Sequence, residues 1–333
     1  MVKIGIVGCG FMGANHSECY RHVAKANVTC VADVRRENAE KIARMHSAKV
    51  YDSAKELILN ADVDVIDICL PTYLHAENAV LAMKKGRSVF IEKPVCMTKE
   101  EGALLLKTQE ETGAKVHVGQ VVRMWDEYVW LKNVADSGKY GKILSAVFTR
   151  ISAKPEWDWE NWLKDTKKSG DVALDLHIHD VDFMRYLLGE PQNVTSSVTK
   201  NEKGAIEQIF SCFDYKDAKV FVEGCWDYPV GFPFTMGYRV KFENATAVLD
   251  ENGLNVYLKE GGWIKPDVRT EHELNSEIGG NALSEDAYFK ELKYFVDCIE
   301  EGNPLTVAPL SEGVKSVELV LCEVENAGGF TKE

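Results

Sequence analysis

The first 120 residues alternate between short apolar runs and longer stretches of mixed polarity. Near-continuous runs of Val, Ile and Leu are typical of strands buried on both faces of a parallel sheet. The stretches between them have helical spacing, and several end in glycine, which stops a helix. This alternation predicts a doubly wound α/β domain. The predicted strands are 2–7, 28–32, 65–70, 89–91 and 116–118, and the predicted helices are 12–25, 36–46, 53–59, 75–85 and 98–112.

The pattern changes after residue 120. Between residues 192 and 259, β-branched and aromatic residues alternate with charged ones at a period near two. Such alternation predicts an antiparallel sheet with one wetter face, and therefore an α+β domain. We place the two domains at 1–121 and 122–333, with C-terminal helices able to pack back on the first. Further predicted elements are helices at 126–137, 175–188, 286–301 and 311–325, a strand at 143–152 and a long polar loop at 261–284.

Length and charge narrow the class of protein. A chain of 333 residues suggests about two domains. Its 39 basic and 52 acidic residues give 39 − 52 = −13, which disfavours nucleic-acid and anionic-membrane partners. No apolar run reaches the ~18–20 residues of a membrane span, and we expect no signal peptide. Nine cysteines without a CxxC pair are typical of a reduced cytoplasmic protein.

A glycine pattern lies between the first apolar run and the first helix. Gly8, Gly10 and Gly13 form the G-x-G-x-x-G fingerprint of dinucleotide binding. The first glycine permits the tight turn, the second lets backbone approach a pyrophosphate, and the third lets the helix pack on the strand. The helix N-terminus then offers N–H donors to the phosphates. A glycine turn in a nucleotide-free α/β fold is the alternative.

An acidic residue stands 20 positions after the last of these glycines. Asp33 ends the second apolar run, where a carboxylate accepts hydrogen bonds from the adenosine ribose and repels a 2′-phosphate. This predicts NAD as cofactor. NADP stays open because Arg35 and Arg36 lie close by and an arginine can hold a 2′-phosphate.

Two further constellations indicate acid–base chemistry. Lys93 ends the fifth run in the segment Glu92-Lys93-Pro94, at the sheet edge where ligands bind. A lysine there can stabilise oxyanion character, although a solvated lysine is the alternative. Asp175 and His179 are i,i+4 neighbours on a predicted helix, and a carboxylate beside a histidine raises its basicity. A helix cap and a packed histidine are the alternatives for this pair.

These motifs together resemble the Gfo/Idh/MocA family of oxidoreductases, named after glucose–fructose oxidoreductase, inositol dehydrogenase and a rhizopine-catabolism protein. The resemblance covers essentially the whole chain. It rests on the glycine turn 8–13, Leu70-Pro71-Thr72 with His75, Glu92-Lys93-Pro94, Asp175-x-x-x-His179-x-x-Asp182 and the segment 288–295.

The resemblance implies a Rossmann domain, a C-terminal α+β domain with a large, mostly antiparallel sheet, and a homodimer or homotetramer formed through that sheet. It implies NAD(P)-dependent oxidation of a secondary alcohol on a sugar, cyclitol or related polyol. In that reaction Lys93 is the catalytic or substrate-orienting lysine, His179 accepts the hydroxyl proton, and Asp175 binds substrate or tunes His179. The implied cofactor contacts are Gly8, Gly10, Phe11, Met12, Gly13, Asp33, Arg35, Leu70, Pro71, Thr72, His75, Glu92, Lys93 and Gln120, and the implied substrate contacts are Lys93, Arg123, Trp162, Asp175, His177, His179 and Tyr288.

One position departs from the family pattern. Residue 177 is usually small, and here it is a histidine. We expect His177 to narrow the substrate pocket or to add a hydrogen-bonding group to it. Three other functions stay open. A divalent metal could be held by Asp175, His177 and His179, but i,i+2 residues do not share a helix face, and we expect no metal. The protein could instead be a non-catalytic nucleotide-binding regulator, or an enzyme whose cofactor never exchanges.

Overall fold

The chain folds into two compact units. The computed structural model describes residues 1–155, 158–268 and 285–330. Residues 1–124 and 285–315 belong to the first unit, and the described residues of 125–268 together with 316–330 belong to the second. The first unit therefore contains a segment from near the C-terminus as well as the glycine turn.

Nine of the ten described α-helices match predicted ones to within a few residues, and the single-turn helix at Thr166–Ser169 was not predicted. Two of them begin at a side-chain N-cap: Ser53 accepts from the Glu56 N–H, and Thr98 accepts from the Glu101 N–H. A glycine in the left-handed region ends the helix at Gly113, where a residue with a Cβ would be strained. The α-helices are α1 (Phe11–His22), α2 (Arg36–His46), α3 (Ala54–Asn60), α4 (His75–Lys84), α5 (Lys99–Thr112), α6 (Asp126–Ser137), α7 (Thr166–Ser169), α8 (Ile178–Leu188), α9 (Glu285–Glu301) and α10 (Leu310–Asn326).

The sheet of the first unit consists of β1 (Val2–Val7), β2 (Ala26–Ala32), β3 (Lys49–Tyr51), β4 (Val65–Ile68), β5 (Ser88–Glu92) and β6 (Val116–Gly119). All strand pairs are parallel, in the order β3-β2-β1-β4-β5-β6. This confirms the doubly wound α/β prediction. The strand order reverses between β1 and β4, and ligands of such sheets bind beyond the carboxyl ends of the strands at that point.

Helix α9 packs in the core of the first unit. Its Leu292, Phe295 and Val296 are buried in one cluster with Ile4 of β1 and Phe90 of β5. Apolar burial is the main favourable term in folding, so this stripe explains why α9 belongs with the sheet that begins the chain.

The sheet of the second unit consists of β7 (Ile143–Ala153), β8 (Asn193–Lys200), β9 (Ile206–Asp214), β10 (Lys219–Tyr228), β11 (Thr235–Phe242), β12 (Ala245–Asp250), β13 (Gly253–Leu258) and β14 (Trp263–Ile264). The order is β14-β13-β12-β11-β7-β10-β9-β8, and every pair except β7 with β10 is antiparallel. The predicted mostly antiparallel sheet is confirmed.

Two short strands were not predicted. Strand β3 has three residues, of which Lys49 is exposed, so it carries no apolar run to indicate it. Strand β14 has two exposed residues and lies inside the predicted loop 261–284. Because these strands pair at sheet edges, their pairing depends on the neighbouring strand more than on their own sequence. The part of that loop at 269–284 lies outside the described residues. Among the helices that the structure describes, none is long and apolar enough to cross a membrane.

Candidate active site

The glycine turn is built by close backbone contacts. Gly8 has φ of +91°, a conformation that favours glycine, and a Cβ there would lie 2.4 Å from the carbonyl oxygen of Cys69. A Cβ on Gly13 would lie 1.9 Å from the carbonyl oxygen of Gly8. These contacts hold the start of α1 against the ends of β1 and β4, so both glycines are required by packing.

The middle glycine leaves space in front of the helix. A Cβ on Gly10 would meet only a guanidinium nitrogen of Arg35, at 3.4 Å. Gly10 is the N-cap of α1 and no side chain caps the helix there. The following Phe11 is exposed and Met12 is half-buried. An open approach to a helix N-terminus is what a dinucleotide pyrophosphate requires, because the N–H groups point at it.

The Asp33 carboxylate is fixed beside this turn. Its Oδ2 accepts the Cys9 N–H at 2.6 Å, and its Oδ1 accepts the Arg35 N–H at 2.7 Å. The Arg35 Nε lies 3.6 Å from Oδ1. A carboxylate that is largely buried and held by two backbone donors keeps its position at the end of β2, where a ribose would be recognised.

The loop after β4 is tied to the loop after β5 through one histidine. The His75 Nδ1 lies 2.8 Å from the carbonyl oxygen of Pro94, and its Nε2 lies 2.7 Å from that of Leu70. Burial lowers the pKa of His75, and the two carbonyl acceptors partly offset this. Pro71 is half-buried, and Thr72 begins a short 3-10 helix and is buried. This contact sets the spacing of the two loops.

Lys93 follows β5 directly and is half-buried. The Lys93–Pro94 peptide bond is cis. The Lys93 N–H donates to the Oε2 atom of Glu92 at 3.2 Å, and Glu92 is 6% exposed. A Cβ on Gly119 would lie 2.9 Å from the Glu92 carboxylate, so the neighbouring strand makes room for this side chain only by having a glycine there.

Three polar residues that lie beneath the end of β5 were not identified from the sequence. His16 of α1, Asp67 of β4 and Cys69 come together in the first unit, and the first two are fully buried. The signal was available, because an acidic residue stands inside the apolar run 65–70, where a parallel strand is buried on both faces. A buried carboxylate requires a partner, and the histidine of α1 supplies it.

Asp175 and His179 lie in the second unit. Residues Ala173–His177 form a π-helical turn that continues into α8. Asp175 and His179 are both half-buried, whereas His177 between them is fully buried. A π-turn inside a helix is rare and is found frequently at functional sites. The predicted helix at 175–188 is therefore present, with its first turn wider than expected.

His177 does not line a pocket in this structure, which corrects the expectation that it narrows one. Its Nε2 lies 2.7 Å from Oε2 of Glu323, and neither side chain has exposed surface. The same Glu323 oxygen accepts the Ser211 hydroxyl at 2.5 Å. A Cβ on Gly224 would lie 2.7 Å from the His177 Cβ. The ring is thus enclosed between helix and sheet, so its place among the substrate contacts is withdrawn.

The other candidate residues occupy different environments. Arg123 is 3% exposed and donates to the carbonyl oxygen of Val307, and Gln120 is 2% exposed. Both are therefore interior residues of the first unit, although the resemblance implies ligand contacts for them. Tyr288 of α9 is half-buried with its ring 6.3 Å from that of His16. Trp162 is half-buried in a 3-10 helix of the second unit.

A six-stranded parallel sheet with a glycine turn at its switch point and an acidic residue directly after β2 defines a dinucleotide-binding protein of the Rossmann class. A family model described as "Oxidoreductase family, NAD-binding Rossmann fold" matches residues 2–120, and the GFO/IDH/MocA C-terminal domain matches residues 128–248. The chain belongs to the GFO/IDH/MocA family. The recognition made from its motifs is confirmed, as are its oxidoreductase class and its NAD cofactor.

Individual relatives agree with this assignment. Inositol 2-dehydrogenase of Rhizobium meliloti is 31% identical over 313 residues, covering 90% of this chain and 89% of the relative. The 2,7-anhydro-N-acetylneuraminate hydratase of Escherichia coli is 31% identical over 196 residues, and the match spans only 52% of that protein. An oxidoreductase structure from Agrobacterium radiobacter, in complex with NAD⁺, L-tartaric acid and magnesium, has a TM-score of 0.87 over 98% of this chain and 96% of that one, at 17% identity. That likeness shows the fold alone.

Proposed function

We propose that this protein catalyses the reversible NAD-dependent oxidation of a secondary alcohol on a sugar, cyclitol or related polyol. The observation that carries the proposal is Lys93 at the carboxyl end of β5, on the sheet that also bears the glycine turn. The inositol dehydrogenase relative supports the substrate class.

Each polar group has one role in the proposed oxidation. NAD, when bound, supplies the nicotinamide that accepts a hydride. Lys93 hydrogen-bonds the reacting oxygen and stabilises the negative charge that develops on it. His179 takes the hydroxyl proton, and Asp175, four residues earlier in the chain, favours the protonated form of His179. Such positioned acid–base groups contribute typically about 10²–10⁴-fold in rate.

The cofactor preference rests on Asp33. Its carboxylate is fixed by two backbone N–H groups, so a 2′-phosphate at that place would meet a negative charge that cannot turn away. The open approach at Gly10 and the helix start without a side-chain cap fit the pyrophosphate of the same cofactor.

Desalted protein should be scanned first for nicotinamide absorbance, then given NAD and separate inositols, aldoses, sugar acids and anhydrosugars. We expect absorbance of reduced nicotinamide to appear only with NAD and one class of polyol. A band present before any addition, and bleached by a keto-sugar, would replace the proposal with an enzyme whose cofactor never exchanges. Bound NAD without turnover on any member of the panel would favour a nucleotide-binding regulator.

We also propose a cytoplasmic homodimer or homotetramer assembled through the eight-stranded sheet. Phe221, Tyr257 and Trp263 are exposed on strands of that sheet, and burying such aromatic surface favours association. All nine cysteines are free thiols, as a reducing compartment keeps them. Light scattering of the intact chain should give a dimer or tetramer mass, and a monomer at micromolar concentration would refute the assembly.

A further inference from the structure

The imidazole of His16 lies between two buried carboxylates in the first unit. Its Nδ1–H donates to Oδ2 of Asp67 at 2.9 Å, and its Nε2 lies 3.1 Å from Oε1 of Glu92. His16 and Asp67 have no exposed surface, and the Glu92 side chain is 8% exposed. Both carboxylates therefore depend on this ring for compensation of their charge, because water cannot reach them freely.

The proton on Nε2 follows from the same geometry. Without it, a ring nitrogen lone pair would lie 3.1 Å from a carboxylate oxygen in a dry interior, which is repulsive. Among the described residues, neither His16 Nε2 nor Glu92 Oε1 makes a hydrogen bond, so the interaction that joins these two atoms is an ion pair. A doubly protonated ring donates to Asp67 on one side, places its positive charge beside Glu92 on the other, and reduces two buried negative charges to one.

The other groups around the ring agree with this state. Cys69 Sγ lies 3.3 Å from Nδ1 of His16, and burial raises the pKa of the Cys69 thiol, which keeps it uncharged. Tyr20 is fully buried, and burial likewise raises the pKa of its hydroxyl. The rings of Phe90 and Tyr288 carry no charge. Burial lowers the pKa of His16, and the negative charge of Asp67 and its hydrogen bond to the ring raise it.

A metal ion is a weaker explanation of the same cluster. One nitrogen, oxygen and sulfur atom of His16, Asp67 and Cys69 lie within 4.8 Å of one another, as metal ligands do. However, Nδ1 of His16 already points its hydrogen at Asp67 with 2.9 Å between the heavy atoms. Two zinc ligands at about 2.0 Å from the ion lie about 3.3 Å apart at a tetrahedral angle, so this nitrogen and this oxygen are closer together than an ordinary zinc site requires.

The cluster connects to the proposed catalytic strand end through Glu92. One of its carboxylate oxygens faces His16, and the other accepts the N–H of Lys93. Gly119 limits the carboxylate on the side of β6. Fixing Glu92 therefore fixes the backbone direction from which the Lys93 side chain departs, and a displacement of about 1 Å at a reacting group can cost about 10²-fold in rate.

We propose that His16 is a positioning residue for Lys93: a buried imidazolium that pairs with Asp67 and Glu92 and holds the Glu92 carboxylate against the Lys93 backbone. This inference rests on the proposed catalytic function of Lys93. The charge state of His16 does not depend on that function, and it can be measured without turnover.

The charge state is tested by nuclear magnetic resonance of the full chain labelled with ¹⁵N in its histidine rings. Loss of a signal in His16→Gln identifies His16 among the eight histidines. His117 is the internal comparison, because it is also fully buried, its Nε2 lies 3.1 Å from a Glu291 oxygen, and its ring stacks on Phe90. We expect two protonated nitrogens on His16 at pH 8 and a neutral ring on His117. A neutral His16, or a stoichiometric metal in protein purified without chelator, would overturn the proposal.

The positioning role is tested by a pair of variants. A Gln amide reaches the place of Nε2 and faces Glu92, whereas an Asn amide reaches only the place of Nδ1 and faces Asp67. We expect His16→Asn to lower kcat by about 10–100-fold with KM for the alcohol within about threefold, and His16→Gln to recover most of the loss. His117→Gln controls for a disturbed core and should keep kcat. Equal losses in both His16 variants, or no loss in His16→Asn, would refute positioning through Glu92. An inactive wild type would refute the proposed function instead, and the resonance result would still stand.

Discussion

The carbonyl oxygen of Gly8 occupies the space into which a Cβ atom on Gly13 would project, at a separation of 1.9 Å. The contact lies within the backbone of the glycine turn, so no side-chain rotation relieves it. By contrast, a Cβ on Gly10 would meet only the end of the flexible Arg35 side chain. The second glycine thus serves the ligand, while the third serves the fold.

Substituting these two glycines should separate stability from cofactor binding. Gly13→Ala should lower the free energy of unfolding by about 1–3 kcal/mol, the range for overpacking. Gly10→Ala should change it by less than about 0.5 kcal/mol but weaken NAD binding by about 10-fold or more, because the methyl group lies where the pyrophosphate must approach. Urea unfolding and NAD titration of both variants test this. Unchanged NAD affinity in Gly10→Ala would place the cofactor elsewhere.

Removing either proposed acid–base group should reduce turnover and leave cofactor binding intact. We expect Lys93→Ala and His179→Ala each to lower kcat by about 10²–10⁴-fold, with the dissociation constant of NAD little changed. Lys85→Ala and His22→Ala are matched controls, because both side chains are exposed. Steady-state kinetics on the alcohol found in the substrate panel decide the matter. Turnover near that of the wild type in both variants would remove these residues from the mechanism.

The charge of Asp33 should set the choice between NAD and NADP. Asp33→Asn keeps the size of the side chain and one acceptor oxygen, but it removes the negative charge. We expect the ratio of kcat/KM for NADP to that for NAD to rise by about 10-fold or more, since a hydrogen bond to a charged group is worth about 1.5–3 kcal/mol. Asp62→Asn serves as the control at an exposed site. A wild type that already prefers NADP would contradict this account of Asp33.

His117 should make the protein less stable as the pH falls. Burial lowers the pKa of His117 to about 3, whereas an unfolded histidine titrates near 6.5. Between these values the unfolded chain binds the additional proton, so stability is fully present above about pH 6.5 and falls by up to about 1.4 kcal/mol per pH unit below it. Urea unfolding between pH 7 and 5 should give a free energy of unfolding that falls with pH in the wild type. In His117→Gln the slope against pH should be smaller, by the equivalent of about one proton. Identical slopes would mean that His117 is charged in the folded protein.

The local sequence predicted many of the helices and strands. Helix α2 was predicted at its observed bounds, because its apolar spacing and flanking residues agree. Strand β1 was also predicted at its bounds, because a short, mostly apolar run with glycines directly after it favours a buried strand over a helix. Strand β3 could not be predicted, since three residues of mixed polarity become a strand only beside β2.

The candidate site likewise has features that the local sequence determines and features that depend on tertiary packing. The glycine turn, Asp33 and the segment at Lys93 are contiguous or regularly spaced, so their types and order alone determined the NAD-binding oxidoreductase family. Only the tertiary structure decided which polar side chains, far apart in the sequence, face each other. His177 became a core residue because the sheet and α10 enclose it, and His16 met Asp67 and Glu92 because α1, β4 and β5 adjoin. A side chain's direction and burial depend on the elements that pack over it, and the energy of a buried charge depends on the partner that this packing supplies.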